Sequence, residues 1–203
     1  MELIGLTGGI GMGKTTAAEV LARRGIPVVD TDGIARDLVQ PGTACLAEIK
    51  RVFGADIVDA GGKLRRGALA RLVFPDEAAR RQLEEILHPR IRERWMAQAR
   101  EWREQGAPTA VVVIPLLFET DAASHFDRTV CVACSLGTQR LRLGSRGWSE
   151  FEINQRIAAQ WPVERKMEAS DLVVWSEGGK GVLEEQWGML LHEIPDFGHR
   201  KTG

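Results

Sequence analysis

Short apolar runs of strand length recur along the chain at residues 3–6, 27–29, 110–114, 129–133 and 172–175. None alternates strictly between apolar and polar positions, which is the pattern of strands covered on both faces in a parallel sheet. Between these runs the apolar positions take three- and four-residue spacing. That spacing predicts helices over 15–24, 43–53, 66–74, 76–87, 90–104 and 149–160. Strands alternating with helices argue for an α/β fold with right-handed crossovers. The exception is the interval from about residue 32 to 108, which is mostly helical and too long for one crossover. It reads as an inserted helical subdomain.

Within that insert, Leu83, Leu87, Ile91, Trp95, Ala99 and Trp102 form one apolar stripe, the signature of core packing. Pro89 has no backbone N–H and restricts His88 before it. The pair therefore predicts a break, with one helix stopping near Leu87 and the next starting at Pro89. The last residues, 196–203, are polar without any apolar period and are expected to fray.

The segment between the first strand and the first helix moves the picture from fold to chemistry. Residues 8–15 read GGIGMGKT, in which Gly8, Gly13, Lys14 and Thr15 satisfy GxxxxGK[ST] in the strand-to-helix context that motif requires. Glycines at Gly8, Gly9, Gly11 and Gly13 let the chain take positive φ and aim successive N–H groups inward, so backbone can wrap a polyphosphate. Met12 contributes mainly backbone. The following helix points its positive N-terminus at the same anion. Lys14 would neutralise the terminal phosphates, the Thr15 hydroxyl would ligate Mg2+, and Thr16 would add a hydroxyl on the first turn. No NKxD guanine-reading motif accompanies the loop.

A second cluster follows the second strand in VVDTDGIAR. Groups just past the carboxyl ends of strands surround the crevice of an open parallel sheet. Of Asp30 and Asp32, one could orient and deprotonate an acceptor hydroxyl while the other helps to hold Mg2+. Asp32 could also cap a helix starting at Gly33. Arg36 lies one turn on, available to a carboxylate or a phosphate. A third cluster, Arg140, Arg142, Arg146, Arg156, Arg165 and Lys166, falls between the fourth and fifth strands. Small phosphoryl-transfer enzymes place a closing lid there, and its arginines spread positive charge over the transferring group while the lid excludes water.

Composition adds exclusions. Lys and Arg total 27 against 28 Asp and Glu, a net charge of −1, so nothing marks a general binder of nucleic acid or membrane surface. No apolar stretch approaches the ~20 residues needed to span a bilayer. The three cysteines, Cys45, Cys131 and Cys134, are an odd number without a leader-like start, which points to a reducing cytoplasm. Cys131 and Cys134 form a CxxC, but inside a strand-like run and without further ligands nearby, so both are expected to be buried apolar thiols.

With these pieces in place, the chain resembles the dephospho-CoA kinase family over nearly all of residues 3–178. The resemblance rests on GLTGGIGMGKTT, VVDTDGIAR, LVFPDEAARRQLEEILHPRI, VVVIPLLFE and RIAAQWPVERKMEASDLVV. The insert with its His88-Pro89 pair is the most discriminating of these. The resemblance implies a P-loop parallel sheet flanked by helices, with core segments at about 1–32, 108–136 and 167–195, a helical acceptor-binding insert at 33–107 and a lid at 137–166. It implies ATP- and Mg2+-dependent phosphorylation of the ribose 3′-hydroxyl of dephospho-CoA, the last step of coenzyme A synthesis, with no obligate protein partner. By matching position, Asp32 resembles the proposed base, Lys14 and Thr15 the phosphate and metal contacts, and Arg140 the lid arginine. His88 and Arg92 are polar candidates for the acceptor, and Glu119 closes PLLFE beside the site or caps a helix. The chain departs from the family's RLxxR lid pattern, so Arg142 or Arg146 takes the second lid-arginine role. It also has Ser176 where the family has Asn, and Arg65 where the family has Asp. Another small-molecule kinase with the same loop, or a nucleotide-binding module without catalysis, are the competing readings.

Overall fold

The computed structural model describes residues 1–192, so the expected fraying at 196–203 and the last positions of the expected core, 193–195, lie outside the described residues. The chain divides into two compact units: Met1–Val29 with the chain from Ala99 onward, and Asp30–Gln98. Residues 99–107, which the sequence assigned to the insert, group with the first unit.

The first unit is organised by a five-stranded sheet in the order β2-β3-β1-β4-β5, with β1 at Glu2–Thr7, β2 at Val28–Asp30, β3 at Thr109–Val113, β4 at Arg128–Ala133 and β5 at Leu172–Trp175. All five apolar runs became strands, and each end moved by no more than one residue. β1 pairs in parallel with β3, Leu6 opposite Val113, and with β4, Thr7 opposite Cys131, while β5 pairs in parallel with β4. The absence of alternation has the expected cause: β3 and nearly all of β1 and β4 are buried residue by residue. Helix α1 (Lys14–Arg23) and helix α9 (Lys180–His192) lie against the sheet, where Ala17, Val20, Leu21, Leu183, Trp187 and Leu191 close over Leu6, Val111 and Val132. Truncating one such side chain, Leu21→Ala for instance, costs about 2–5 kcal/mol.

In the second unit, α2 (Thr31–Leu38), α3 (Ala44–Phe53), α4 (Arg66–Val73) and the first part of α5 (Glu77–Glu104) pack around Leu46, Ile49, Ile57, Leu69 and Ile86. α3 starts where it does because the Thr43 hydroxyl accepts the Leu46 N–H.

Two expectations about elements are corrected, and one segment holds helices the spacing did not flag. α5 is one helix of 28 residues with Pro89 inside it, not two meeting at Leu87. Pro89 removes the N–H that would reach the Glu85 carbonyl, and the helix is carried past it by packing, with Ile86 buried and Leu83, Leu87 and Ile91 set against the same core on both sides of the proline. Beside it the Arg90 guanidinium donates to the Ile86 carbonyl at 2.6 Å and pairs with Glu48. α2 begins at Thr31 rather than Gly33, and its cap is Asp30, whose Oδ1 accepts the Asp32 N–H at 2.9 Å. Asp32 therefore sits in the first turn. The segment expected as one helix over 149–160 is α7 (Glu150–Ala158), preceded by a helix the periodicity did not flag, α6 (Leu136–Gly144), and followed by α8 (Val163–Ala169). α7 opens with a reciprocal capping box, Ser149 with Glu152.

Candidate active site

The loop between β1 and α1 is set first by its glycines. Gly8, Gly11 and Gly13 have φ of 141°, 76° and 95°. A Cβ at Gly8 would lie 2.2 Å from the Val132 carbonyl oxygen, and one at Gly13 would lie 2.9 Å from Ser176 Oγ. Glycine is required here twice over, by dihedral and by close approach to neighbouring strands. Gly13 in the left-handed region then starts α1, with no side chain capping its N-terminus. No capping side chain of Gly13 competes for the first turn, the place where a helix N-terminus receives an anion.

Polar ties fix the rest of the loop. Lys14 Nζ donates to the carbonyls of Gly8 (2.8 Å) and Gly9 (3.0 Å), so the ammonium folds back over the loop. Ile10 is gripped through its backbone on both sides of its Cα: its N–H donates to Gln160 Oε1 at 2.9 Å and its carbonyl accepts from Gln139 Nε2 at 2.7 Å. The Met12 carbonyl accepts from Ser176 Oγ at 2.7 Å, and Ser176 is itself held by the Arg142 guanidinium, 2.8 Å to Oγ and 2.5 Å to its carbonyl. Met12 also buries its side chain against Ala133, Cys134, Val163 and Met167, a packing role beyond the backbone one expected of it. The hydroxyl-bearing Thr15 is exposed and Thr16 half-buried.

The basic cluster divides by partner. Arg140 pairs with Glu150 at 2.6 Å and donates to Asn154 at 2.7 Å. Arg156 stands over Trp148 and Arg165 over Trp161, at 4.2 and 3.3 Å from the ring centroids. Arg146 is exposed just past α6. Lys166 is not a surface charge at all: it is fully buried, donating to the Pro115 carbonyl at 2.6 Å and paired with Glu119 Oε1 at 2.8 Å. Glu119 Oε1 also accepts the Trp161 N–H, and Oε2 is a buried oxygen without a partner. Glu119 is thus a bracket between the β3 turn and the start of α8. A cavity of about 360 Å³ opens beside the loop, lined by Gly9, Met12, Cys134, Gln139, Gln160 and Trp161 among others.

Electrostatics in this unit are local. The Thr138 hydroxyl and then the Ser135 N–H and hydroxyl all donate to Glu177, holding its carboxyl down at about 2. Burial pushes the Cys131 thiol up to about 11, against the opposing charges of Lys166 and Lys14, and raises Cys134 as well. Both are free, buried, protonated thiols.

In the helical unit, Asp30 caps α2 while Asp32 and Arg36 are exposed on that helix. His88 and Arg92 are one turn apart on α5, both half-buried. Burial lowers the His88 pKa; Glu84 opposes that shift and Arg92 adds to it, so the ring is neutral at pH 7. Among the described residues no group of three or more His, Cys, Asp or Glu forms a metal cage, and no helix is long and apolar enough to cross a membrane.

The sequence reading missed Gln139, Gln160, Glu177 and the burial of Lys166. Only Ser176 had carried a signal, as a departure from the family pattern. Glutamines inside an arginine-rich stretch look like solvated surface, and only tertiary placement gives them a loop to hold.

The sequence profile of the dephospho-CoA kinase family matches residues 2–180. A dephospho-CoA kinase of Anaeromyxobacter dehalogenans is 43% identical over 195 residues, 96% of this chain and 92% of that protein. One from Corynebacterium glutamicum is 40% identical over 195 residues, covering 96% and 98%. The crystal structure of TT1252 from Thermus thermophilus superposes with a TM-score of 0.81 at 35% identity, over 95% of this chain and 97% of that one. Shikimate kinase from Acinetobacter baumannii, at a TM-score of 0.51 and 15% identity over 95% and 94% of the two chains, shares the fold alone.

Proposed function

The chain belongs to the dephospho-CoA kinase family, and from that premise we propose that it moves the γ-phosphoryl of ATP to the ribose 3′-hydroxyl of dephospho-CoA. The observation that carries the reading is the phosphate loop itself, glycines at positive φ with Lys14 folded over two of its carbonyls. An arriving polyphosphate offers Lys14 a stronger, charge-assisted partner than Gly8 and Gly9. The ammonium then moves from loop to phosphate without a change of backbone.

In this reading the acceptor oxygen attacks the γ-phosphorus, the bond to the bridging oxygen breaks, ADP leaves, and the hydroxyl proton passes to Asp32. Such transfer asks more of positioning and charge than of covalent help. The donor set suits a Mg2+ carried in by the nucleotide: one exposed hydroxyl, Thr15, with Asp30 the candidate carboxylate, and no cage of protein ligands among the described residues. When bound, the ion would neutralise charge on the β- and γ-oxygens. Thr16 and the loop N–H groups would contact phosphate, and Arg36, His88 and Arg92 are the candidates for acceptor contacts. Arg140 serves the transferring group by exchanging Glu150 and Asn154 for phosphate oxygens. The exchange is inexpensive, since an exposed ion pair is worth about 0–1 kcal/mol, and Glu150 is 76% exposed. Arg146 is the second lid candidate, because Arg142 is committed to Ser176. Three free thiols fit a reducing, cytoplasmic setting.

Purified protein with ATP and Mg2+, offered dephospho-CoA, a nucleoside, a nucleotide and shikimate in parallel, tests the assignment. ADP and coenzyme A should form with dephospho-CoA alone. No ADP with that acceptor, or ADP only with another, overturns it, and ATP binding without any transfer would identify a nucleotide-binding module instead.

A further inference from the structure

We infer that Gln160 and Gln139 are positioning residues for ATP, acting through the backbone of Ile10. The two side chains come from opposite ends of the segment that follows β4: Gln139 from α6 and Gln160 from the turn after α7. They meet on one residue of the phosphate loop, with opposite polarity, at the two peptide groups that flank the Ile10 Cα. Gln160 accepts at 2.9 Å from the Ile10 N–H, and Gln139 donates at 2.7 Å to the Ile10 carbonyl. Gln139 is 3% exposed, so its amide is committed to the loop rather than to water.

The reason the loop needs such a grip lies in its composition. Residues 8–13 include four glycines, which lose the most conformational freedom on ordering. As the structure stands, Lys14 braces the first half of the loop through Gly8 and Gly9. ATP takes that brace away, because the ammonium turns to phosphate. What then ties residues 8–10 to the rest of the fold is the Ile10 grip, since the other tie, from the Met12 N–H to the Gly9 carbonyl, is internal to the loop; the Ser176 bond to the Met12 carbonyl fixes the second half. The grip therefore matters more with nucleotide bound than without it, and its loss weakens ATP rather than the acceptor. The root of the grip is firm: Trp161, next to Gln160, donates its N–H to Glu119, which is paired with the buried Lys166.

This inference rests on the reading of the loop as an ATP site. Three measurements on the full chain test it. Amide exchange at Ile10 without nucleotide should be slow in the wild type and in Gln160→Glu, which keeps an acceptor oxygen, and faster in Gln160→Met, which keeps the volume and loses the acceptor. In Gln160→Met the KM for ATP should rise about three- to tenfold, the scale of one lost hydrogen bond, while kcat at saturating ATP changes less than twofold. Gln139→Glu should speed Ile10 exchange, because a carboxylate cannot donate to the carbonyl. An unchanged Ile10 exchange rate in Gln160→Met, or a KM change confined to the acceptor, overturns the inference. Should the wild type transfer phosphate to no acceptor, the kinase reading fails by itself. Ile10 exchange and ATP affinity by equilibrium titration still decide for or against the grip.

Discussion

The phosphate loop and the helical unit Asp30–Gln98 are built by opposite means. In residues 8–13 Met12 is the side chain that joins the core; shape comes from positive φ at three glycines and from hydrogen bonds at the Ile10 and Met12 peptide groups. The helical unit has an aliphatic centre, with Ile49 and Ile57 fully buried, and its polar candidates Asp32, Arg36, His88 and Arg92 ride on α2 and α5. A site made of backbone admits almost any side chain where it does not touch and none where it does. A site made of side chains on packed helices changes its specificity by substitution and keeps its fold. In the proposed reading, the helical unit is where the acceptor would be bound.

The largest expected effect tests whether the helical unit contributes chemistry through one side chain. Asp32→Asn should lower kcat by roughly 10² to 10⁴, the range for general-base help. Asp32 is exposed, so stability should stay within about 0.5 kcal/mol. Near-normal turnover with dephospho-CoA would remove Asp32 from the reaction, and a loss under about tenfold would leave it orienting the hydroxyl without taking its proton.

Second in size is a contrast in stability. Lys166→Met leaves the Glu119 carboxylate, 15% exposed, without its cation, and deprives the Pro115 carbonyl of a donor. Removing one partner of a buried pair costs about 3–5 kcal/mol, a drop of roughly 10 °C in Tm for a chain of this size. The ion pair of the helical unit, Arg90 with Glu48, has side chains 37% and 32% exposed. Solvent screens it, and Glu48→Gln should cost about 1 kcal/mol or less. Equal melting shifts for the two variants would erase the distinction between the units.

The same difference explains what could be read from sequence. The five strands and the phosphate loop were legible because apolar runs and GxxxxGK[ST] are local patterns with a direct backbone consequence. The continuous α5 was not: the proline rule is sound as a local propensity, and what overrides it is tertiary packing of Leu83, Ile86, Leu87 and Ile91 on both sides of Pro89, which local sequence does not encode. The move of the α2 cap from Asp32 to Asp30 is a two-residue shift between chemically identical caps, and sequence offers no reason to prefer either. Lys166 reads from sequence as one of the lid's cations, because charge implies exposure until a partner is known. Glu119 was that partner, at 47 positions' remove, and it was visible only as the end of PLLFE.

The smallest expected effect separates the units by pH. Glu177 has a folded pKa of about 2 against an ordinary 4.5, so the unfolded chain binds the proton more readily. Its contribution is complete above 4.5 and is lost as pH falls towards 2. His88 is shifted down by burial from 6.5, so the unfolded state again takes the proton first, and stability begins to fall once pH drops below 6.5. Both slopes have the same sign, in windows that begin about two units apart. Denaturant midpoints measured from pH 7 to 2 should therefore decline in two stages. His88→Asn should flatten the stage that starts near 6.5, and Glu177→Gln should flatten the stage below 4.5, where the ties to Ser135 and Thr138 are lost. A Glu177→Gln profile parallel to the wild type below pH 4.5 would mean that those three hydrogen bonds do not hold the carboxylate in solution.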